Sequence, residues 1–340
     1  MATTKAGRHV VSMVDVARLA GVSHQTVSRA LNEPETLKQK TLDAVMDAIE
    51  KTGYRRNENA RALKSLKPHD LGLLMSVSAE YGPVRILEGI ENRAAQREYL
   101  LKIAIPADHR ESSVRKALDR LLHFDVSAII IISTEKWVEP IVKTETNLPL
   151  VAVGATLPAA SWLSTVDIDQ AAGSRLMLDH MLKHGARRID HIAGPFGWYS
   201  SDARYEAWMR FQADHGLTAG KLYRARWDAQ SGYAAGLDIC ADLPDAVFAA
   251  NDQLAIGAIR ALSEHGVTVP GDVMIGGYDD SPMGEFTLPS ITTVNQDFAR
   301  LGTLAVDTAI SLSASGSPQR IITLPRLVVR ESVPDAPASR

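Results

Sequence analysis

The sequence predicts a mixed α/β protein: a small all-helical head followed by a body of two doubly wound α/β lobes. Three observations carry this expectation. Between Ser12 and Gly53 the apolar residues recur at helical spacing in three short stretches separated by turn residues. From Leu71 onward, short apolar runs alternate with amphipathic stretches, the pattern of a parallel sheet covered on both faces. At 340 residues the chain is also too long for one small module.

The head comes first. Ser12 can cap a helix over Val14–Ala20, with Asp15 adding negative charge to its first turn and Val16, Leu19 and Ala20 forming its inner face. Gly21 supplies the positive φ of a sharp turn, Val22 plugs the angle, and Ser23 caps a second helix over His24–Leu31. Val27, Ala30 and Leu31 point inward there, which leaves His24, Gln25, Ser28 and Arg29 outside. A third helix spans about Leu37–Thr52, with Leu42, Val45, Met46 and Ile49 on one face and Gly53 ending it. Two helices around a tight turn place the second in the DNA major groove, where Gln suits adenine and Arg suits the O6/N7 edge of guanine.

Charge agrees with this placement. The whole chain carries a net −3, yet residues 1–68 hold twelve Lys and Arg against seven Asp and Glu, leaving the remainder at −8. A basic head on an acidic body indicates a polyanion at one end. The single cysteine, Cys240, excludes an intramolecular disulfide and a cysteine-built zinc site. The longest apolar run, Ala128–Ile132, has the length of a buried strand and not of a membrane span. The N-terminus has no apolar core of a secretion signal, so a cytoplasmic protein is expected.

After the head, Tyr54–Ser65 is helix-capable but too polar to bury itself, an interdomain linker by composition. In the body, strands are expected at Leu71–Met75, Leu100–Ile105, Ala128–Ile132 and Leu150–Val153, with helices at Val84–Glu98, Ser112–His123 and Lys136–Lys143. A second set follows, with helices at 170–184, 202–215, 230–240 and 253–265 and strands at Ile189–Ala193, Leu222–Ala225, Ala246–Ala249 and Val273–Gly276. A helix at Phe298–Leu312 and one strand at Ile321–Val329 close the chain. The expected divisions are 1–55 for the head, 56–69 for hinge and linker, and 70–340 for the body. Within the body, one lobe takes about 70–160 and 278–295 and the other about 161–277 and 296–330, a ligand clamp of the periplasmic-binding-protein type.

Ligands in such sheets bind beyond the carboxyl ends of the strands. Ser76, Asp202, Arg204, the pair Asn251-Asp252 and the pair Asp279-Asp280 all follow apolar runs, and Trp198, Trp208 and Trp227 are available as stacking platforms. Carboxylate, amide and guanidinium groups beside an aromatic ring suit a polyhydroxylated ligand. Asp252 and Asp280 also read as caps or loop anchors, Trp208 as core, and Asn251 equally as cap and ligand contact. No Gly-x-Ser-x-Gly, phosphate loop, dinucleotide fingerprint or His-Glu-x-x-His is present, so an enzyme is not expected.

Asp15-Val16-Ala17, Ala20-Gly21-Val22-Ser23 and Thr26-Val27-Ser28-Arg29 resemble the signature of the lactose-repressor (LacI/GalR) family of bacterial regulators. Ala250-Asn251-Asp252-Gln253, Gly277-Tyr278-Asp279-Asp280 and Thr293-Val294-Asn295-Gln296-Asp297-Phe298 resemble its effector-domain motifs, so the likeness runs over nearly the whole chain. The resemblance implies a homodimeric transcriptional repressor of carbohydrate-utilisation genes. It would be released from palindromic double-stranded operator DNA by a mono- or disaccharide, without membrane, metal, cofactor or catalytic residue. DNA contacts are implied for His24, Gln25, Thr26, Ser28 and Arg29, and for Asn57, Ala60, Arg61 and Leu63 in a hinge helix that folds on the minor groove. Leu63 is the implied wedge between base pairs, and Arg56 stands where the family usually has proline. Effector contacts are implied for Ser76, Arg204, Trp227, Asn251, Asp279 and Gln296. Gly154 replaces the aspartate that lactose-type members use on a sugar hydroxyl, so a galactoside is not implied. The family also contains purine-responsive and co-repressor-type members, which stand as the alternative. The family's tetramers carry a leucine-heptad tail that this sequence lacks, hence the expected dimer.

Overall fold

The computed structural model describes residues 11–54, 70–76, 80–132, 134–139, 148–154, 157 and 162–333. Asn57, Ala60, Arg61 and Leu63, and the second half of the helix expected at Lys136–Lys143, lie outside the described residues. The chain divides into two compact units, Met1–Lys67 and Pro68–Arg340.

In the first unit α1 is Met13–Ala20, α2 is His24–Asn32 and α3 is Gln39–Thr52. The Ser12 amide and hydroxyl both donate to Asp15 Oδ2, at 2.9 and 2.7 Å, so the start of α1 is fixed by its own side chains. Gly21 takes φ 67° and ψ 30°, and the Thr26 amide donates to Ser23 Oγ at 3.1 Å to begin α2. Val16, Val27 and Val45 are fully buried between the three helices, with Ala17, Ala30, Ala48 and Tyr54 around them. Leu19 and Met46 are 54% and 51% exposed, against their expected inward placement. Small Ala17 and Ala48 occupy the inner stripe, and Leu19 and Met46 lie roughly 100° round their helices from its centre. α3 starts at Gln39, two residues later than expected, and Lys38 stands at its N-cap without a side-chain cap.

The second unit contains β1 (Asp70–Leu74), α4 (Tyr81–Gln96), β2 (Leu100–Ala104), α5 (Glu111–Leu122), β3 (Ala128–Ile132), β4 (Leu150–Val153) and β5 (Leu163–Ile168). It continues through α6 (Gln170–Lys183), β6 (Ile189–Ala193), α7 (Tyr199–Asp214), β7 (Leu222–Arg224), α8 (Ala229–Cys240), β8 (Ala246–Ala249) and α9 (Asp252–Glu264). β9 (Met274–Gly276), α10 (Pro282–Glu285), β10 (Thr293–Asn295), α11 (Phe298–Ser315), β11 (Arg320–Thr323) and β12 (Arg326–Val328) complete it. Two parallel sheets form, β11-β5-β4-β3-β1-β2 in one lobe and β7-β6-β8-β9 in the other, and β10 pairs antiparallel with β12.

The central strands of each sheet are buried on both faces. In the first lobe Leu71, Leu73, Ile130 and Val151 pack with Ile86 and Ile90 of α4 and Leu301 and Ala305 of α11, while Ile129 and Ile131 face Val114 and Leu118 of α5. α4 and α11 cross with their backbones nearly touching: a Cβ on Gly89 would lie 2.4 Å from the Ala299 carbonyl oxygen, and one on Gly302 2.4 Å from that of Ile86. In the second lobe Val247, Ala249 and Ile275 pack under α8 and α9, and Ile189, Ala246 and Phe248 under α6 and α7. Among the described residues no helix is long and apolar enough to cross a membrane.

The expected lobe limits need correction. β5 belongs to the first lobe, so residues 162–168 lie there, and α11 and β11 return to it, whereas 278–295 stay with the second lobe through β10. The single strand expected at Ile321–Val329 is two: β11 pairs with β5, and β12 pairs with β10. Leu324 and Pro325 interrupt it because proline has no amide to continue a ladder. The chain therefore crosses between lobes three times, at Asp169, at Gln296-Asp297 and at Leu324-Pro325.

Candidate functional site

A cleft opens between the two sheets where their carboxyl ends face each other. The first lobe contributes Glu80, Tyr81, Thr134, Gly154 and Asp167, and the second contributes Trp198, Arg204, Trp227, Asn251 and Asp279, with Gln296 at a crossing. Five of the six expected effector residues thus meet in one cavity. Ser76, the sixth, is half-buried at the end of β1 and outside the lining.

At the base of the cleft four side chains bond in a circuit. Arg204 Nε donates to Gln170 Oε1 at 3.0 Å, Gln170 Nε2 donates to Gln296 Oε1 at 2.8 Å, and Gln296 Nε2 donates to Asp279 Oδ1 at 2.5 Å. Asp279 Oδ1 lies 3.6 Å from an Arg204 guanidinium nitrogen and closes the loop. Arg204 is only 3% exposed; it also donates to the Ala250 carbonyl, and its guanidinium lies 3.8 Å from the centre of the Tyr278 ring. Asp279 is held at φ 104°, a conformation unusual for a side chain with a Cβ, and it lines the cleft.

Burial pushes the Asp279 carboxyl up to about 7, opposed by the Arg204 charge and reinforced by that of Asp252. Burial, with a smaller contribution from Asp228, also raises Glu80. Arg204 is the one cation among the described lining residues, set against Glu80, Asp167 and Asp279.

Asn251 resolves into its structural reading without leaving the cleft. Its Oδ1 caps α9 by accepting from the Leu254 amide at 2.8 Å, and its Nδ2 donates to the Trp227 carbonyl at 3.1 Å. It thereby places Trp227, whose ring meets Trp198 edge-on at 5.7 Å between centroids and whose buried Nε1 has no hydrogen-bond partner among the described residues. Asp252 is an anchor, accepting from the Ser281 amide and the Thr293 hydroxyl, both at 2.6 Å. Asp280 is another, bound by Arg330 at 2.7 Å and Asn295 at 2.8 Å. Trp208 is core, its indole N–H donating to the Ile189 carbonyl.

The side of the cleft away from the circuit carries direct contacts between lobes. The Lys136 amide donates to the Gly197 carbonyl at 3.2 Å and the Tyr199 amide to that of Thr134 at 3.1 Å. Lys136 Nζ reaches Asp202 at 2.8 Å, and the Tyr199 hydroxyl donates to Glu139 at 3.2 Å. Asp202 is thus a lobe-to-lobe partner and not a lining residue. Gln170, Glu80, Tyr81, Thr134, Asp167 and Ser200 are among the cleft residues that sequence reasoning missed.

In the first unit, His24, Gln25 and Arg29 are exposed on α2, and Thr26 and Ser28 are half-buried beside them. Arg29 donates one N–H to the Thr36 carbonyl at 3.4 Å. The Thr26 hydroxyl is engaged with Ser23 Oγ at 2.8 Å, part of the cap.

Comparison with known proteins adds the following. Residues 12–57 match the family described as bacterial regulatory proteins, lacI family, and residues 178–333 match a periplasmic binding protein-like domain. The chain is 29% identical to the lactose operon repressor of Escherichia coli K12, over 96% of this chain and 91% of that one. It is 30% identical to the transcriptional regulator GalS of Salmonella typhimurium, covering 95% and 97%, and 29% identical to the repressor PurR of Actinobacillus pleuropneumoniae serotype 3, covering 95% and 98%. The solved structure of the Lac repressor dimer bound to operator and the anti-inducer ONPF superposes with a TM-score of 0.80 at 28% identity, over 95% of this chain and 99% of that one.

Proposed function

The chain belongs to the LacI family of bacterial regulatory proteins, and from that premise we propose that it represses carbohydrate-utilisation genes as a homodimer, released from a palindromic operator when a sugar occupies the interlobe cleft. Its relatives make it a DNA-binding transcriptional repressor. The convergence of Arg204, Trp227, Asn251, Asp279 and Gln296 on one cavity supports a sugar effector. Carboxylate, amides and guanidinium edged by indole rings provide the donors, acceptors and apolar face that a pyranose presents in return.

A second reading has support of its own. Relatives named PurR match as fully as the sugar regulators do, and Tyr81, Trp198, Trp227 and Phe298 could stack a purine base as readily as a sugar. A thermal-shift panel of mono- and disaccharides run beside hypoxanthine and guanine separates the two. Stabilisation by a saccharide alone supports the first, and by a purine alone the second.

For the DNA end, Gln25 and Arg29 are the proposed base readers, with His24 tuning a neighbouring position and Thr26 and Ser28 beside them. Arg29→Ala should cost about 1–3 kcal/mol and relax selectivity at one base pair of each half-site, measured on a library of operator variants. Equal weakening on every sequence would make Arg29 a phosphate contact. The proposed hinge contacts are Asn57, Ala60 and Arg61, with Leu63 as the wedge. Leu63→Ala is expected to leave the melting temperature of the free protein unchanged while operator bending and affinity fall together. A large loss of thermal stability without DNA would place Leu63 in a core instead.

A further inference from the structure

The circuit at the base of the cleft has a fixed direction. Arg204 only donates, and Asp279 in its ionised form only accepts. Gln170 therefore has to turn its carbonyl to Arg204 and its amide nitrogen to Gln296, which in turn leaves the Gln296 nitrogen for Asp279. Both amide orientations follow from the two charged ends.

The circuit also sits on the hinges. Gln170 is the first residue after the crossing at Asp169, and Gln296 lies within the second crossing. The third packs onto the same turn of α6: a Cβ on Gly173 would fall 2.9 Å from Pro325 Cγ and 2.0 Å from the Tyr278 hydroxyl. That hydroxyl donates to the Gln170 backbone carbonyl at 3.3 Å, and the Tyr278 ring carries the Arg204 guanidinium. All three crossings converge on the first turn of α6, and Gln170 is the residue of that turn that lines the cleft.

We propose that Gln170 is a positioning residue that ties the cleft to the hinge: its amide joins Arg204 to Gln296, holds the lobes at one angle while the circuit is closed, and passes a change in ligand contacts at Arg204 or Asp279 to the crossings. The proposal rests on reading the cleft as the effector site. A ligand that takes a bond from Arg204 or Asp279 changes what Gln170 and Gln296 can bond to, and the lobe angle follows.

The test needs no effector. Spin labels at exposed Lys116 on α5 and exposed Asp214 on α7, introduced as cysteines with Cys240→Ser, report the lobe-to-lobe distance by pulsed electron paramagnetic resonance. Labelled chain is diluted with unlabelled chain so that only intrachain pairs are read. The parent should give one narrow distribution. Gln170→Leu, which keeps the bulk and loses both bonds, should at least double its width or add a second population, and Gln296→Leu, which cuts the next link, should do the same. A purely structural Gln170 would lower the melting temperature and leave the distance unchanged; distributions that superpose on the parent's in both variants overturn the proposal. Binding of the unlabelled parent to a selected operator is measured separately. Failure there counts against the repressor reading and leaves the distances to decide the role of Gln170.

Discussion

Asp279→Asn is expected to yield a permanent repressor, with operator affinity in the absence of effector near the parent's and release by effector lost. A ligand shifts DNA affinity only by the difference in its affinity for the two lobe arrangements, and that coupling is reciprocal. Asp279 is placed to supply the difference. It lines the cleft in an unusual backbone conformation, with one oxygen committed to Gln296 and set against Arg204. Asparagine keeps an acceptor for Gln296 but sets an uncharged amide beside a buried guanidinium. A hydrogen bond to a charged group is worth about 1.5–3 kcal/mol, so effector affinity should fall at least ten- to hundredfold, and effector concentrations that release the parent should no longer release the variant. The measurement is operator binding titrated with the effector identified by the thermal-shift panel. Normal release by the variant would show that Asp279 does not carry the coupling, and tighter operator binding by the parent when effector is added would replace the inducer mechanism with a co-repressor one.

The same carboxyl gives a pH signature of definite sign. Its pKa in the folded protein, about 7, lies above its ordinary value of 3.8, so between those limits the folded state binds more protons than the unfolded one. Asp252, pushed up to about 6 by burial, acts in the same direction. Their contribution to stability therefore declines as pH rises from about 4 to 7. In Asp279→Asn that part of the slope should disappear, leaving a flatter melting profile over the window. Effector hydroxyls that donate to Asp279 favour its charged form, so effector affinity of the parent should weaken below about pH 7.

Much of this was legible in the residues. Gly21, Ser23 and Gly53 fix their turns through local backbone chemistry, and those turns fall where the sequence puts them. The cleft residues that follow strands β8 and β9 were readable for a similar reason: an apolar run followed by polar residues marks the carboxyl end of a buried strand. β5 was not readable because three of its six buried residues are polar and break the apolar run. Ser164, Thr165 and Asp167 are buried in the sheet, satisfied in part by Ser164 Oγ accepting from the Gln319 amide at 3.0 Å and Asp167 Oδ1 accepting from the Ile168 amide at 2.8 Å. Missing β5 displaced the first crossing, and with it Gln170. The last strand was misread because apolar residues on both sides of Pro325 serve different sheets, a distinction that no local pattern carries. Leu19 and Met46 failed for a third reason: on short helices packed through alanines, the larger side chain is not always the inner one.

Single charges placed on the exposed apolar surface of the second unit should separate the proposed dimer. In the second lobe Phe286 and Leu288 are 78% and 89% exposed, and in the first lobe edge strand β2 presents Leu100 and Ile103 at 60% and 51%. Natural edge strands are usually guarded by charge, a bulge or a cover, and apolar side chains of this size left in water disfavour a free monomer. A second copy of the chain is the occupant consistent with the dimeric Lac repressor structure that this fold matches. Leu288→Asp, and separately Ile103→Asp, should therefore shift sedimentation at micromolar concentration from dimer to monomer. Each exchanges an apolar contact for a buried, unpaired carboxylate in the dimer while leaving the free chain's cores untouched. Operator affinity should then fall by about 10²–10⁴-fold, because two linked heads reach two half-sites as one intramolecular event and separate heads do not. Effector binding in the cleft, built within one chain, should persist in both monomers. Variants that sediment as the parent does would show that these surfaces are not the dimer contact, and a monomer with undiminished operator affinity would show that one head is sufficient for binding.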